Sequence, residues 1–258
     1  GCLGHPINLC ARSSMQSSSE LFPVALVSAE LRGDLSEDVY RLKPGNSPDF
    51  TVELAVTRLG LAGQENRGVP VILLHGSFSN RRFWYSPRGI GLGPHLARAG
   101  FDVWIAEMRG HGLSPRNQAY KHNSVADYAR YDLPAIAAFV REQTAQAPHW
   151  VGHSLGGTTL AAALGGGYLG AGEAASAALF GTQFSRIYWP LKVPPVEWGS
   201  RLLLKGFNHI SGARFKRGPE DEPIGLALES LRWHRLFGRF GDAERDWWAG
   251  MTDVQVPL

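Results

Sequence analysis

The chain has 258 residues, 44% hydrophobic and 19% charged, and its 26 Lys and Arg against 23 Asp and Glu leave a formal charge of +3. That balance suits a globular chain with one large core and room for a smaller accessory domain, and it excludes disorder over most of the length. The densest charge cluster, Arg214, Lys216 and Arg217 followed by Glu220, Asp221 and Glu222, nearly cancels and reads as solvated surface, which leaves no basic face for nucleic acid.

No stretch reaches the roughly 18 consecutive apolar residues of a bilayer span. Residues 1–20 read as a leader or tag: polar, rich in serine (Ser13, Ser14, Ser17, Ser18, Ser19), and without the basic start and apolar run of a secretory signal. Cys2 and Cys10 both fall inside it, so no disulfide framework is expected. Cytoplasmic residence is the expectation. The chain starts with Gly, and Met15 precedes the first patterned segment, so residues 1–14 are set aside as a tag, a scar or a misplaced start.

The run Leu21 to Val27 reads as a first strand. Two alternating segments, Val39 to Leu42 and Phe50 to Leu59, flank the turn residues Pro44, Gly45, Asn46 and Pro48 and read as a hairpin. Val69 to Leu74 is short, apolar and rich in β-branched residues, as suits a strand buried on both faces. A helix from Leu92 to Ala99 and a strand from Phe101 to Ala106 follow. Ser124, with Asp127 three residues on, caps a long helix through Tyr128, Leu133, Ile136, Ala137 and Val140. A strand His149 to Val151, a helix Leu155 to Leu164 and a strand Ala175 to Phe180 complete an alternation that predicts an α/β fold. Its mostly parallel central sheet carries helices on both faces, over residues 21–183. From 184 to 250, prolines 190, 194, 195, 219 and 223 break the chain into short amphipathic helices, read as an inserted helical cap. Residues 251–258 resemble the opening of a further core strand, with the rest of the core expected beyond Leu258. A sheet ending at that raw edge invites aggregation.

The chemistry concentrates in Gly152-His-Ser-Leu-Gly156, a G-x-S-x-G match placed directly after a strand and before a helix of small residues. Flanking glycines permit a tight, strained turn that lifts the Ser154 hydroxyl to the carboxyl edge of the sheet, and the helix behind it aims free N–H groups at developing negative charge. His75-Gly76-Ser77 ends an earlier strand, where a backbone N–H can face that turn. The oxyanion hole is therefore assigned to the N–H groups of Ser77 and Leu155, each such donor being worth about 3 kcal/mol. His75 reads as structural and His153 as packing. Gly165, Gly167 and Gly170 spell G-x-G-x-x-G but follow a helix, so no dinucleotide site is expected. The tryptophans at 189, 198, 233, 247 and 248 read as a mini-core, and an aromatic cap over the sheet edge would make a water-poor pocket. The cysteines are isolated, so no metal site is expected.

With these motifs the chain resembles the α/β-hydrolase family over roughly Val39 to Leu258, the loop Met108-Arg-Gly-His-Gly-Leu-Ser114 being similar to the family's R-G-x-G-x-S segment. Gly100-Phe-Asp-Val-Trp104, Tyr131-Asp-Leu-Pro-Ala135 and the Gly-His-Ser elbow look like the acid lipases. Leu155, where those lipases carry Gln, and the 109–114 loop depart toward bacterial esterases and carbon–carbon bond hydrolases. The resemblance implies a serine nucleophile, then an acid, then a histidine in chain order, the last two expected beyond Leu258. The alternative recruits His209, His234 or Asp253. Ser154 is thus the candidate nucleophile of an esterase or lipase-like serine hydrolase that needs no cofactor and takes a small ester or thioester with an apolar part. The second reading is a truncated or degenerate relative that binds an apolar ligand or a protein partner without turnover.

Overall fold

The computed structural model describes residues 17–64, 67–183 and 189–258. The sheet begins as a meander. β1 (Val24–Arg32) pairs antiparallel with β2 (Leu35–Leu42) across a two-residue turn, and β2 pairs antiparallel with β3 (Leu54–Leu61) in the hairpin that the sequence predicts. The first strand starts three residues later than the Leu21 to Val27 run suggests and continues to Arg32, because its partner is the near strand β2. Then come β4 (Pro70–Leu74), β5 (Asp102–Glu107), β6 (His149–His153) and β7 (Ser176–Phe180). The order across the sheet is β1-β2-β3-β5-β4-β6-β7. β5, β4, β6 and β7 are mutually parallel, and β3 is antiparallel to β5, so β2 runs with the parallel set. β4 and β5 are buried at every position, which is why β4 and the Val103–Ala106 stretch of β5 read as apolar runs.

One face of the sheet carries the larger apolar cluster, including Trp104, Trp150, Tyr40, Phe139 and Leu160; the other carries a smaller one around Leu59, Val71, Leu73, Trp84 and Ile105. Alternate residues of β4 supply both, Ile72 and Leu74 to the first and Val71 and Leu73 to the second, as the period of two requires. Helix α1 (Leu92–Arg98) packs over β3 and β5 on the smaller cluster. The expected long helix from Ser124 is interrupted. Ser124 and Asp127 form a full capping box on α2 (Val125–Asp127), a π turn follows over Tyr128–Asp132, and α3 (Leu133–Thr144) continues. Pro134 explains the break: it has no N–H to give the carbonyl four residues back, and its ring crowds that carbonyl, which the wider π turn moves aside. Helix α4 (Leu155–Gly165) lies behind β6 with nearly all of its residues buried.

The segment from 189 to 253 holds α5 (Pro194–Lys205), α6 (Ile224–His234) and α7 (Trp247–Gly250). It is not purely helical, since β8 (His209–Ile210) and β9 (Glu222–Pro223) form a small antiparallel ribbon. Its tryptophans divide. Trp233 and Trp247 pack edge-on with Phe240 in a mini-core at centroid distances of 5.0 to 5.8 Å, whereas Trp189, Trp198 and Trp248 are surface-exposed. Gly165, the first glycine of the G-x-G-x-x-G stretch, lies against the backbone of α7.

Two expectations at the ends change. Residues 17–20 of the supposed leader are tied down: the Ser18 N–H donates to the Val24 carbonyl at 2.9 Å, and Gln143 donates to the Ser18 carbonyl at 3.0 Å. Cys2 and Cys10 lie outside the described residues. Where a core strand was expected to open, Met251–Asp253 makes one 3-10 turn, and residues 254–258 contribute the buried Val256 and a 2.9 Å bond from the Ala177 N–H to the Pro257 carbonyl. The proline there has no N–H of its own with which to extend a ladder. No helix among the described residues is long and apolar enough to cross a membrane.

Candidate active site

Strands β4 and β6 are neighbours, so their carboxyl ends lie about 4.8 Å apart and bring residues 75–78 against 152–155. Ser154 joins β6 to α4 at φ +50° and ψ −115°, a conformation that costs a non-glycine residue about 1–3 kcal/mol. Its N–H donates to the Phe180 carbonyl at 2.8 Å and its carbonyl accepts from the Thr158 N–H at 2.9 Å, so the strain is held from both sides. The flanking glycines are required by close approach. A Cβ on Gly156 would lie 2.6 Å from the His75 carbonyl oxygen, and one on Gly152 2.7 Å from the Gly157 N.

Ser154, Leu155, Thr158, Ser77 and Phe78 line one side of a cavity of about 270 Å³; Ile210, Pro223, Leu226, Ala227, Ser230 and Trp233 line the other. The 189–253 segment thus covers one side of the cavity with mostly apolar side chains, joined by Ser230 and the carboxylate of Glu222. Gln183 reaches it as a neutral side chain, and no Asp or Glu stands just beyond β7. Among the described residues, neither the Ser77 nor the Leu155 N–H is taken by an acceptor of the fold, and no side chain hydrogen-bonds to the Ser154 hydroxyl. A larger groove of about 430 Å³ lies between α2, α5 and α6, but its lining is charged and it is bordered by ion pairs such as Arg130–Glu244 and Arg232–Glu229.

The histidines take distinct parts. His75 is buried. Its Nδ1 faces the Gly76 carbonyl at 2.9 Å, and its Nε2 accepts from the Met108 N–H at 3.3 Å, which requires a neutral ring carrying the proton on Nδ1. Burial, with the nearby His111, lowers its pKa to about 3. His153 stacks on Phe83 at 4.3 Å between centroids and does not bond its neighbour Ser154. The alternatives do not reach the serine either. His209 pairs with Asp221 at 3.4 Å, His234 faces the Ser230 carbonyl at 2.7 Å, and Asp253 sits exposed in its turn.

Two residues that sequence reasoning passed over are central here. His111, in the 108–114 loop, is buried with Nδ1 3.2 Å from the Arg109 carbonyl and Nε2 3.1 Å from Glu222 Oε2. Acceptors at both nitrogens call for both protons; burial opposes the imidazolium, but the Glu222 carboxylate outweighs it and raises the pKa. Glu222 is therefore not the solvated member of a cancelling cluster but a residue 4% exposed. Only its position beside Pro223, at the end of the charged run, hinted at anything, and no local pattern links it to a histidine 111 residues away. The loop itself is pinned by the buried Arg109–Asp132 pair at 2.5 Å and by Ser114, which donates to the Glu107 carbonyl at 2.7 Å.

The family model described as alpha/beta hydrolase fold matches residues 69–165, from β4 to the end of α4. The chain has the α/β-hydrolase fold. Within it, the chain is similar to lipases: it is 34% identical over 137 residues to lipase member N of Mus musculus, covering 46% of this chain and 34% of that protein. It is 38% identical over 111 residues to gastric triacylglycerol lipase of Homo sapiens, covering 37% and 28%. The chain thus spans about a third of the length of these relatives. Among solved structures, a putative lipase from Sulfolobus solfataricus superposes with a TM-score of 0.56 at 17% identity, over 74% of this chain and 58% of that one. The thioesterase domain from the curacin biosynthetic pathway gives 0.52 at 15%, over 80% and 77%. These two likenesses establish the α/β-hydrolase fold alone. The family match includes the His75-Gly76-Ser77 turn, the 108–114 loop and the elbow at Ser154; the layer that covers them lies outside it.

Proposed function

We propose that this α/β-hydrolase is a serine hydrolase that cleaves carboxylic esters or thioesters with an apolar acyl or alcohol part. The observation that carries the reading is the strained Ser154 at the floor of a largely apolar cavity, with two uncommitted N–H groups, of Ser77 and Leu155, beside it. In this mechanism the Ser154 hydroxyl attacks the carbonyl carbon, and the Ser77 and Leu155 N–H groups stabilise the tetrahedral oxyanion. A general-base histidine takes the hydroxyl proton and returns it to the leaving group, oriented by an acid; neither is identified among the described residues. No cofactor enters this chemistry. The likeness to proteins named as lipases supports an apolar acyl substrate.

The test is labelling of the intact protein with a fluorophosphonate. Labelling that disappears in Ser154→Ala, together with hydrolysis of p-nitrophenyl esters, supports the reading. A folded, full-length protein that takes no label sinks it. The second reading, an apolar-ligand or partner-binding relative without turnover, draws on the absence of any described histidine bonded to Ser154, and the unlabelled outcome favours it.

A further inference from the structure

The turn that carries Ser77 is gripped by the covering layer rather than by the core. Phe78, the next residue, is held at φ +58°, left-handed for a bulky side chain. Its N–H donates to Glu222 Oε1 at 2.5 Å, and its carbonyl accepts from the Glu220 N–H at 3.2 Å. Two residues on, Asn80 Nδ2 donates to Glu220 Oε1 at 2.5 Å. Gly218 lies so close that a Cβ there would overlap the Phe78 carbonyl. Both peptide planes that flank Phe78 are therefore fixed by residues 218–222, more than 130 residues along the chain. Fixing them sets the backbone at Ser77 and hence the aim of its N–H.

Glu222 does two further things. By occupying the Phe78 N–H it leaves the Ser77 N–H as the free donor of the turn at the cavity wall. A bare carboxylate at that wall would oppose the negative charge of a tetrahedral intermediate, but its other oxygen meets the His111 ring at 3.1 Å, which balances it.

We propose that Glu222, its charge balanced by His111, is the positioning residue that aims the Ser77 N–H at the oxyanion; this rests on the serine-hydrolase reading above. The experiment compares Glu222→Leu, Glu222→Gln and Gly218→Ala in the intact protein. Each is assayed for kcat and KM on a p-nitrophenyl ester, and for inhibition by a trifluoromethyl ketone, which adds to the serine as a tetrahedral oxyanion mimic. Removal of an oxyanion donor lowers kcat about 100- to 1,000-fold, so its misdirection is expected to lower kcat about 10- to 100-fold in Glu222→Leu. KM should stay within about twofold, and trifluoromethyl ketone affinity should weaken by the same factor as kcat. Glu222→Gln, which keeps an acceptor for the Phe78 N–H, is expected to restore most of both. Gly218→Ala, which leaves Glu222 in place but displaces the Phe78 peptide, is expected to lower both together, and it decides the matter should Glu222→Leu fail to fold. Variants that keep wild-type kcat and inhibitor affinity, or that lose KM alone, overturn the positioning role while wild-type labelling at Ser154 leaves the hydrolase reading intact. Absence of that labelling in the wild type overturns both.

Discussion

At the scale of the residue, the elbow is a place where backbone strain and close packing specify one another. Ser154 keeps its left-handed φ because glycines at 152 and 156 let α4 press against β6 and the end of β4, and a single methyl group at 156 would meet the His75 carbonyl at 2.6 Å. Gly156→Ala is therefore expected to cost about 1–3 kcal/mol, read as a lower Tm, and to slow fluorophosphonate labelling even where the protein remains folded. This part of the site was legible because its constraints are local: three motif residues, one strand and one helix. The His111–Glu222 pair was not, since its partners are joined by folding across 111 residues. His111 also stood inside a recognised loop, and the acid stood in a run whose charges cancel on paper. Net charge counts residues without regard to burial, so it cannot single out the one carboxylate of the three that goes inside.

Elements obey the same division. Strands buried on both faces announced themselves as apolar runs, and the meander as alternation broken by turn residues. The π turn before α3 was hidden because one extra residue barely disturbs a helical apolar stripe; only Pro134 marked it. The docking of α6 on α2 was likewise invisible. Glu229, on α6, accepts from the Val125 and Ala126 N–H groups at 2.6 and 3.3 Å, the free amides at the start of α2, and burial raises its pKa to about 7. A carboxyl group whose pKa rises from 4.5 to about 7 on folding stabilises the protein fully below pH 4.5, and that contribution is lost as the pH climbs through 7. Glu229→Gln, which never ionises, is therefore expected to raise stability at pH 8 by about 2–3 kcal/mol and to leave it nearly unchanged at pH 4.5. Urea melts at the two pH values check both the size and the sign.

Over the whole molecule, one sheet divides two apolar clusters, and β4, fourth in the chain, lies between β5 and β6 with every residue buried. Its amides are expected to exchange with deuterium only through global unfolding, and those of the edge strand β1, whose outer positions are largely exposed, at least about 100-fold faster, a contrast that hydrogen-exchange mass spectrometry resolves by peptide. The alternation of strands and helices conveyed this architecture, whereas the contacts between sheet edge and covering layer depend on side chains that meet only after folding. Those contacts bear on how such proteins can be recombined. A chimera that joined this sheet to the covering layer of a relative lacking an acid at position 222 would bury the His111 imidazolium without its counter-charge, a defect of about 3–5 kcal/mol. Exchange of that layer between homologues is thus tied to the 108–114 loop: the two segments travel as a pair, and a swap that respects only the domain outline breaks the half that the sequence leaves unmarked.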